Sequence, residues 1–507
     1  MSTKGAVQVE KTAIGGSLEI PRIVNGLWQL SGGHDKDVNI ASASSAMDQL
    51  INRGLYAFDM ADHYGDAELV VGHHNKSTGP KLTAFTKWCP AENGIKTFAN
   101  AEAAIDHALS RMRQDKIELL QYHAWDYSDD TYIHNLNHLK SLQTKGKIGH
   151  VGLTNTDAAH LEMLCESGFR IATNQVPVNV IDRRVMTGRL TQVCQKNNVG
   201  ILAYASLLGG FLSEKWVGQP EPTDPESLNW SLRKYLRFIW AAGGWDKFQV
   251  VLQALATIAS RHEVPIAAVA TRWVLDVPAV QAVIVGSRLD EKTDEYAAKN
   301  LLAFTFQLTD EDRALISEAQ RGLSDVPGDC GDEYRRPPFL TVTGDLSHHL
   351  SNPEQSAAVA ASIAKGQRIE YRTGSVWEPI AGYCRAVRVG NSIHVSGTTA
   401  NSPISELPNV GGSSAHSQTV WILDIIERSV KALGASFSDI VRTRIMVQNI
   451  EDCEEVSRAH GWRMKCADIL PANTLISAGV VGDNMLVEIE AWAEVGSGDR
   501  GVLQIGN

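Results

Sequence analysis

The chain has 507 residues, more than one hydrophobic core usually supports, so two domains are the first expectation. Its composition is that of an ordinary globular protein, and a formal charge of −11 argues against a general binder of nucleic acid or anionic membrane, both of which need a positive excess on some face. The opening stretch, MSTKGAVQVEKTAIGG, lacks the apolar core of a secretory signal, and the longest apolar stretch, ILAYASLLGGFL, is too short to span a bilayer, so a soluble, cytoplasmic protein is expected.

From about Ile20 to Asn300 a rhythm repeats: a short β-rich run ending in a polar residue, then a segment of helical period. The runs are PRIVNGLW, YAFDMAD, LTAFTK, IELLQYH, HVGLTN, ATNQV, GILAYAS and AVIVGS, eight in all. Between them lie helical stretches such as SASSAMDQLINRG, FANAEAAIDHALSRMR, YIHNLNHLKSLQTKG and DAAHLEMLCESG, several closed by a glycine suited to a left-handed C-cap. Eight such units over this length predict a parallel α/β (β/α)8 TIM barrel, whose chemistry belongs at the carboxyl ends of its strands. Asp59, Lys87, His123, Asn155, Gln175 and Tyr204 all fall at or near such ends.

The segment from about Ser213 to Lys247 is rich in Trp, Gly and Pro, lacks clean periodicity and reads equally well as a lid or as a surface loop. Ser324 to Gly344 is rich in Pro, Gly and Asp, which marks a boundary, and EQSAAVAASIAKG reads as a connecting helix. Near Arg368 the organisation changes. RAVRVGNSIHVSG reads as a hairpin turning at Gly-Asn, QTVWILDIIERSVKALG and CEEVSRAHGWRMKCA as helices, and IVRTRIMVQN and NMLVEIEAWAEV as strands, which together predict an α+β domain. The expected division is a barrel over 1–325, a linker over 326–367 and a second domain over 368–507.

The seven cysteines, Cys89, Cys165, Cys194, Cys330, Cys384, Cys453 and Cys466, form no CxxC pair and read as reduced thiols. The pairs His73-His74 and His348-His349 lack further ligands at metal spacing, so no metal is expected.

An acid, a phenol, an amine and an imidazole at neighbouring strand ends suit carbonyl reduction, because hydride addition leaves negative charge on oxygen and calls for a proton donor there. Tyr64 is the expected donor. Lys87, as a cation within about 4–6 Å, is expected to lower its pKa, Asp59 to fix Lys87, and His123 to bond the carbonyl oxygen.

On FDMADHYGDAELVVG, Thr86-Lys87, QYHAWD, GKIGHVGLTN and AYASLLGGFL, residues of about 17 to 325 resemble the aldo-keto reductases. The resemblance implies that Asp59, Tyr64, Lys87 and His123 are the catalytic tetrad and that the cofactor is NADPH. It further implies that Asn155 and Gln175 hold the nicotinamide carboxamide, that Tyr204 stacks on its ring, and that Ser206, Leu207 and Gly209 lie on the cofactor side. AVIVGSRLDEKTDEY would then bind the adenosine end, with Ser287 and Arg288 toward a 2′-phosphate and Glu295 beside them. Thr154 stands where the family often has Ser, and Tyr296 where many members have Asn.

From about Arg368 to Val495, GYCRAVRVGNSIHVSGTTA, LGASFSDIVRTRIMVQNIEDCEEVSRAHG and LVEIEAWAEV resemble the Rid (YjgF-type) family, whose members often hydrolyse imines or enamines and assemble as trimers. Tyr383, Ser396 and Glu488 match its pocket positions, but Asn473, in PANT, replaces the arginine that clamps a substrate carboxylate. The combined expectation is an NADPH-dependent reductase of a small carbonyl or imine compound, without nucleic-acid or membrane partners, whose second domain binds a reactive intermediate or drives trimerisation. A bifunctional reductase and imine deaminase, or a cofactor-binding redox sensor, is the alternative.

Overall fold

The computed structural model describes residues 7–31, 38–78, 82–90, 94, 96–335, 353–503 and 505. A short antiparallel hairpin, β1 (Lys11–Ile14) and β2 (Leu18–Pro21), comes first. Eight strands follow: β3 (Ile23–Gly26), β4 (Ala57–Asp59), β5 (Thr83–Trp88), β6 (Ile117–Tyr122), β7 (Ile148–Thr154), β8 (Thr173–Pro177), β9 (Gly200–Tyr204) and β10 (Val280–Gly286). They pair in parallel and close into a barrel, β10 joining both β9 and β3. Ile14 and Ile20 of the hairpin join Val24, Ala57, Phe85, Leu119, Leu202 and Ala282 in one buried cluster. The hairpin therefore packs onto the barrel's interior residues.

The helices around the barrel start at side-chain caps. Asn39 accepts from Ser42 N ahead of Ile40–Asn52, Thr97 from Asn100 N ahead of Phe98–Met112, and Asp157 from His160 N ahead of Ala158–Glu166. The segment expected to be a lid or loop holds two helices, Trp230–Ala241 and the start of Trp245–His262, which share a second apolar cluster with Phe211 and Leu212.

The expected linker does not begin at 326. Val326, Cys330, Asp332, Glu333 and Tyr334 are buried, and Arg184 bonds Glu333 Oε2 at 2.7 Å. Its turn-forming residues fold the chain back onto the barrel instead of releasing it: Gly331 has φ 91°, and a Cβ there would stand 2.0 Å from the Asn155 carbonyl oxygen. The connecting helix spans Pro353–Ala364. His348 and His349 lie outside the described residues.

The second unit is a six-stranded sheet of β11 (Ile369–Tyr371), β12 (Ala386–Val389), β13 (Ser392–Thr399), β14 (Ile440–Val447), β15 (Ala472–Ser477) and β16 (Val487–Glu494), in the order β11-β12-β13-β16-β14-β15. Only β14 and β15 run parallel. Helices Ala415–Ala432 and Cys453–Cys466 pack on one face, where Val487, Ile489 and Ala491 alternate inward under the fully buried Trp421. Glu488, Glu490 and Trp492 turn to the other face.

The two units meet along helices Ala158–Glu166 and Ala415–Ala432. His160, fully buried, lies between Asp157 Oδ2 at 2.8 Å and Asp424 Oδ2 at 3.0 Å, and Tyr127 stacks on its ring at 3.5 Å. Arg428 pairs with Asp130 at 3.0 Å and Lys431 with Asp126 at 3.2 Å around this centre. Among the described residues no helix is long and apolar enough to cross a membrane.

Candidate active site

A cavity of about 630 Å³ opens at the carboxyl ends of the barrel strands. Asp59, Tyr64, Lys87 and His123 all line it. Lys87 Nζ donates to Asp59 Oδ2 at 2.6 Å and to the Met60 carbonyl at 2.7 Å. The other carboxylate oxygen of Asp59 accepts from Gln121 Nε2 at 2.8 Å and from Gln175 Nε2 at 2.9 Å. Asp59 is thereby locked, and it locks Lys87. The Lys87 ammonium stands 4.8 Å from the centre of the Tyr64 ring, which also packs edge-on against Trp28 at 4.9 Å.

The expectation that Lys87 lowers the Tyr64 pKa is not met. Burial, and next the negative charge of Asp59, hold the phenol well above its ordinary range. The Lys87 charge is neutralised by Asp59 at contact, which leaves desolvation to dominate. His123 moves the opposite way: burial, then Arg335, His63, Lys234 and Lys87, hold it well below the usual imidazole range, so it is neutral. Its Nε2 is buried with no hydrogen-bond partner among the described residues, and its ring meets Trp125 at 3.9 Å and Tyr334 at 5.4 Å. The site thus offers a protonated phenol and an unengaged imidazole nitrogen to one space.

Asn155, Gln175, Tyr204, Ser206, Leu207, Gly209, Ser287 and Arg288 line the same cavity. Tyr204 Oη donates to Asn155 Oδ1 at 2.7 Å, leaving the ring as a wall. Ser206 Oγ is buried and without a partner among the described residues, and Lys215 lines the cavity beyond it. Ser206 and Lys215 near one end and Arg288 at β10 suit an elongated ligand carrying phosphates, because each can bond anionic oxygens. Glu295 does not belong to this wall. Helix Thr293–Leu301 turns Thr293, Tyr296, Ala297 and Asn300 to the cavity, at helical spacing, while Glu295 is exposed and pairs with Lys299 at 2.6 Å.

Sequence reasoning missed Gln121, Trp28, Trp125, Lys215, Lys234 and Tyr334. Gln121 carried a signal, being two residues before His123 on one strand and so on the same face. Tyr334 carried none, since it lies beyond the expected end of the barrel. Asp62, His63 and Cys89, at the rim, each bring one ligand-type atom to within 4.8 Å of the others. All seven cysteines are free thiols.

In the second unit Ser396 Oγ donates to the Cys384 carbonyl at 2.8 Å, and Glu488 lies so close to Gly397 that a Cβ there would meet Oε1 at 2.0 Å. Arg385 stands among them, donating to the Gly397 carbonyl at 2.8 Å and 5.9 Å from the Tyr383 ring. Burial and Glu490 raise the Glu488 pKa. Asn473 is not brought to this group within the chain: it sits on the edge strand β15, exposed, with Oδ1 accepting from Thr443 Oγ1 at 3.1 Å.

The Aldo/keto reductase family model matches residues 22–321, and the Endoribonuclease L-PSP model matches residues 373–495. The chain is 25% identical to the probable aldo-keto reductase 1 of Glycine max over 338 residues, covering 64% of this chain and 92% of that protein. It is 24% identical to the aldo-keto reductase YhdN of Bacillus subtilis (strain 168), over 63% of this chain and 96% of that one. Among solved structures, the glycerol dehydrogenase of Gluconobacter oxydans superposes with a TM-score of 0.51 at 21% identity, over 65% of this chain and 99% of that one, a likeness of fold.

Proposed function

Because the chain belongs to the aldo/keto reductase family through residues 22–321, and is an oxidoreductase on that ground, we propose that it reduces the carbonyl group of a small molecule with NADPH. The observation that carries this reading is the meeting of a protonated Tyr64 and an unpartnered His123 Nε2 in one cavity beside the Asp59–Lys87 pair. When bound, NADPH supplies the hydride. Tyr64 Oη–H gives its proton to the carbonyl oxygen as negative charge develops there, yielding an alcohol. His123, neutral with its proton on Nε2, donates a hydrogen bond to the same oxygen and orients it. Lys87, fixed by Asp59, stands 4.8 Å from the phenol ring and offsets part of the cost of the phenolate left after transfer, while burial and Asp59 favour its reprotonation.

In this reading Asn155 and Gln175 hold the carboxamide, Tyr204 backs the nicotinamide ring, Ser206, Leu207 and Gly209 border the pyrophosphate, and Ser287 and Arg288 meet a 2′-phosphate; their sharing one cavity supports it. For the second domain, whose boundaries we take near 368 and the chain end, we read the open sheet face bearing Glu488, Glu490 and Trp492 as a self-association surface that makes a trimer. The Tyr383, Ser396, Arg385 and Glu488 group fits an imine-type intermediate less well without the family's clamping arginine at Asn473.

The test is a panel of aldehydes, ketones, sugars, lactols and cyclic imines, offered to the purified chain with each nicotinamide while light scattering weighs the particle. NADPH oxidation matched by alcohol formation, on a trimer, is the expected result. No turnover on any carbonyl compound contradicts the reductase reading, and a monomer contradicts the assembly reading.

A further inference from the structure

Lys234 is a cavity cation for which the steps above have no use. It stands in the first turns of helix Trp230–Ala241, whose start is fixed by Asn229 accepting from Leu232 N at 3.0 Å, and its half-buried side chain lines the main cavity. Its ammonium donates to Tyr334 Oη at 2.5 Å and lies 5.9 Å from the Tyr204 ring. Among the described residues it pairs with no carboxylate. The nearby acid, Glu333, is engaged by Arg184 at 2.7 Å, and the other cation of this region, Arg335, is satisfied by the carbonyl oxygens of Ala124, Asn155 and Gly331. A lysine drawn partly out of water without a counter-charge is unfavourable until an anion joins it.

The location says which anion. Lys234 reaches toward Tyr334 and the Tyr204 ring. Tyr334, its partner, meets the His123 ring at 5.4 Å, and the Lys234 charge is among those that disfavour a proton on His123. This is the end of the cavity where a carbonyl oxygen would lie, so the missing charge belongs to the substrate and not to a cofactor phosphate. Trp28 and Trp230, with ring centres 6.3 Å apart, and Trp125 supply apolar walls for a short carbon skeleton.

We infer that Lys234 and Tyr334 Oη receive a substrate carboxylate, so that the preferred substrates are oxo acids: small aldehydes or ketones carrying a carboxylate a few atoms from the carbonyl. The inference rests on the carbonyl-reducing reading and narrows it. One ammonium and one phenol give a charge-assisted hydrogen bond and a second contact, enough to rank an acid above its ester. It also gives the segment after the barrel a task, because Tyr334 is held there by the burial of residues 330–334 against the barrel.

The full chain is assayed with NADPH on two acid and ester pairs: pyruvate with methyl pyruvate, and para-carboxybenzaldehyde with methyl para-formylbenzoate. The wild type prefers each acid in kcat/KM. Lys234→Met cuts that preference about tenfold or more, as expected for loss of a hydrogen bond to a charged group, and Lys234→Arg keeps most of it. No preference in the wild type, or one that Lys234→Met leaves unmoved, overturns the assignment. If no carbonyl compound is reduced, the carbonyl-reducing reading fails by itself, and the carboxylate site is judged by calorimetric titration of para-(hydroxymethyl)benzoate. Binding about tenfold weaker in Lys234→Met then supports the site. Equal binding removes it.

Discussion

Burial drives Tyr64 and His123 in opposite directions, and both shifts leave the group in the form that carbonyl reduction needs: a phenol that keeps its proton and an imidazole that takes none. Asp59 accepts from three donors, Lys87, Gln121 and Gln175, and so fixes the Lys87 ammonium beside the phenol. At the far end of the cavity Arg288→Ala is expected to weaken NADPH about tenfold or more while changing NADH much less, since only NADPH carries the phosphate that guanidinium would grip. Equal losses, measured by fluorescence titration of both, would remove that assignment. That Asp59, Lys87 and His123 share one cavity was legible because each closes an apolar run at a strand end. The Tyr64 pKa was not legible, because it depends on how completely Asp59 neutralises Lys87. Glu295 was placed wrongly because a helix presents one stripe to a cavity, and its phase was not fixed by the residues around it.

At the scale of elements, the barrel strands were legible as eight short β-rich runs. The hairpin β1–β2 was not, since Lys11–Ile14 and Leu18–Pro21 are too short to show alternation. The edge strand β15 escaped for a related reason: its residues, ANTLIS, are exposed or half-buried throughout and carry no inward-facing pattern. Helix Trp230–Ala241 was hidden inside a stretch that read as lid or loop. It packs Leu236, Phe238 and Ile239 into the core while turning Trp230 and Lys234 to the cavity, and its apolar stripe was masked by the Trp-, Gly- and Pro-rich stretch around it. Ser324 to Gly344 shows the limit of composition as a guide. Pro, Gly and Asp mark turns, and turns serve a chain folding back over a site as well as one leaving a domain.

Over the whole molecule, the two units are tied by a buried charged centre. His160, between Asp157 and Asp424, has its pKa raised to about 9 against an ordinary 6.5, the flanking carboxylates outweighing its burial. A raised folded-state value means that this stabilisation is fully present below about pH 6.5 and is lost as pH climbs through about 9. Asp424→Ala leaves the cation half-compensated in a sealed interface and should cost about 3 kcal/mol or more. Thermal melts would show a lower Tm for the variant at pH 6 and a flatter fall between about pH 6.5 and 9 than in the wild type. Identical melts across that range would mean that His160 is uncharged. That the chain has two units was legible from the change of rhythm near Arg368. That they meet through His160 and Asp424 was not, because a pairing across 264 positions leaves no local pattern.

The proposed reduction depends on the Tyr64 hydroxyl delivering the proton. The most direct measurement is single-turnover NADPH oxidation by Tyr64→Phe, with cofactor affinity titrated on the same preparation. Turnover lower by about a hundredfold or more, with NADPH binding nearly intact, is the predicted result. A variant that reduces carbonyl compounds at the wild-type rate would contradict it.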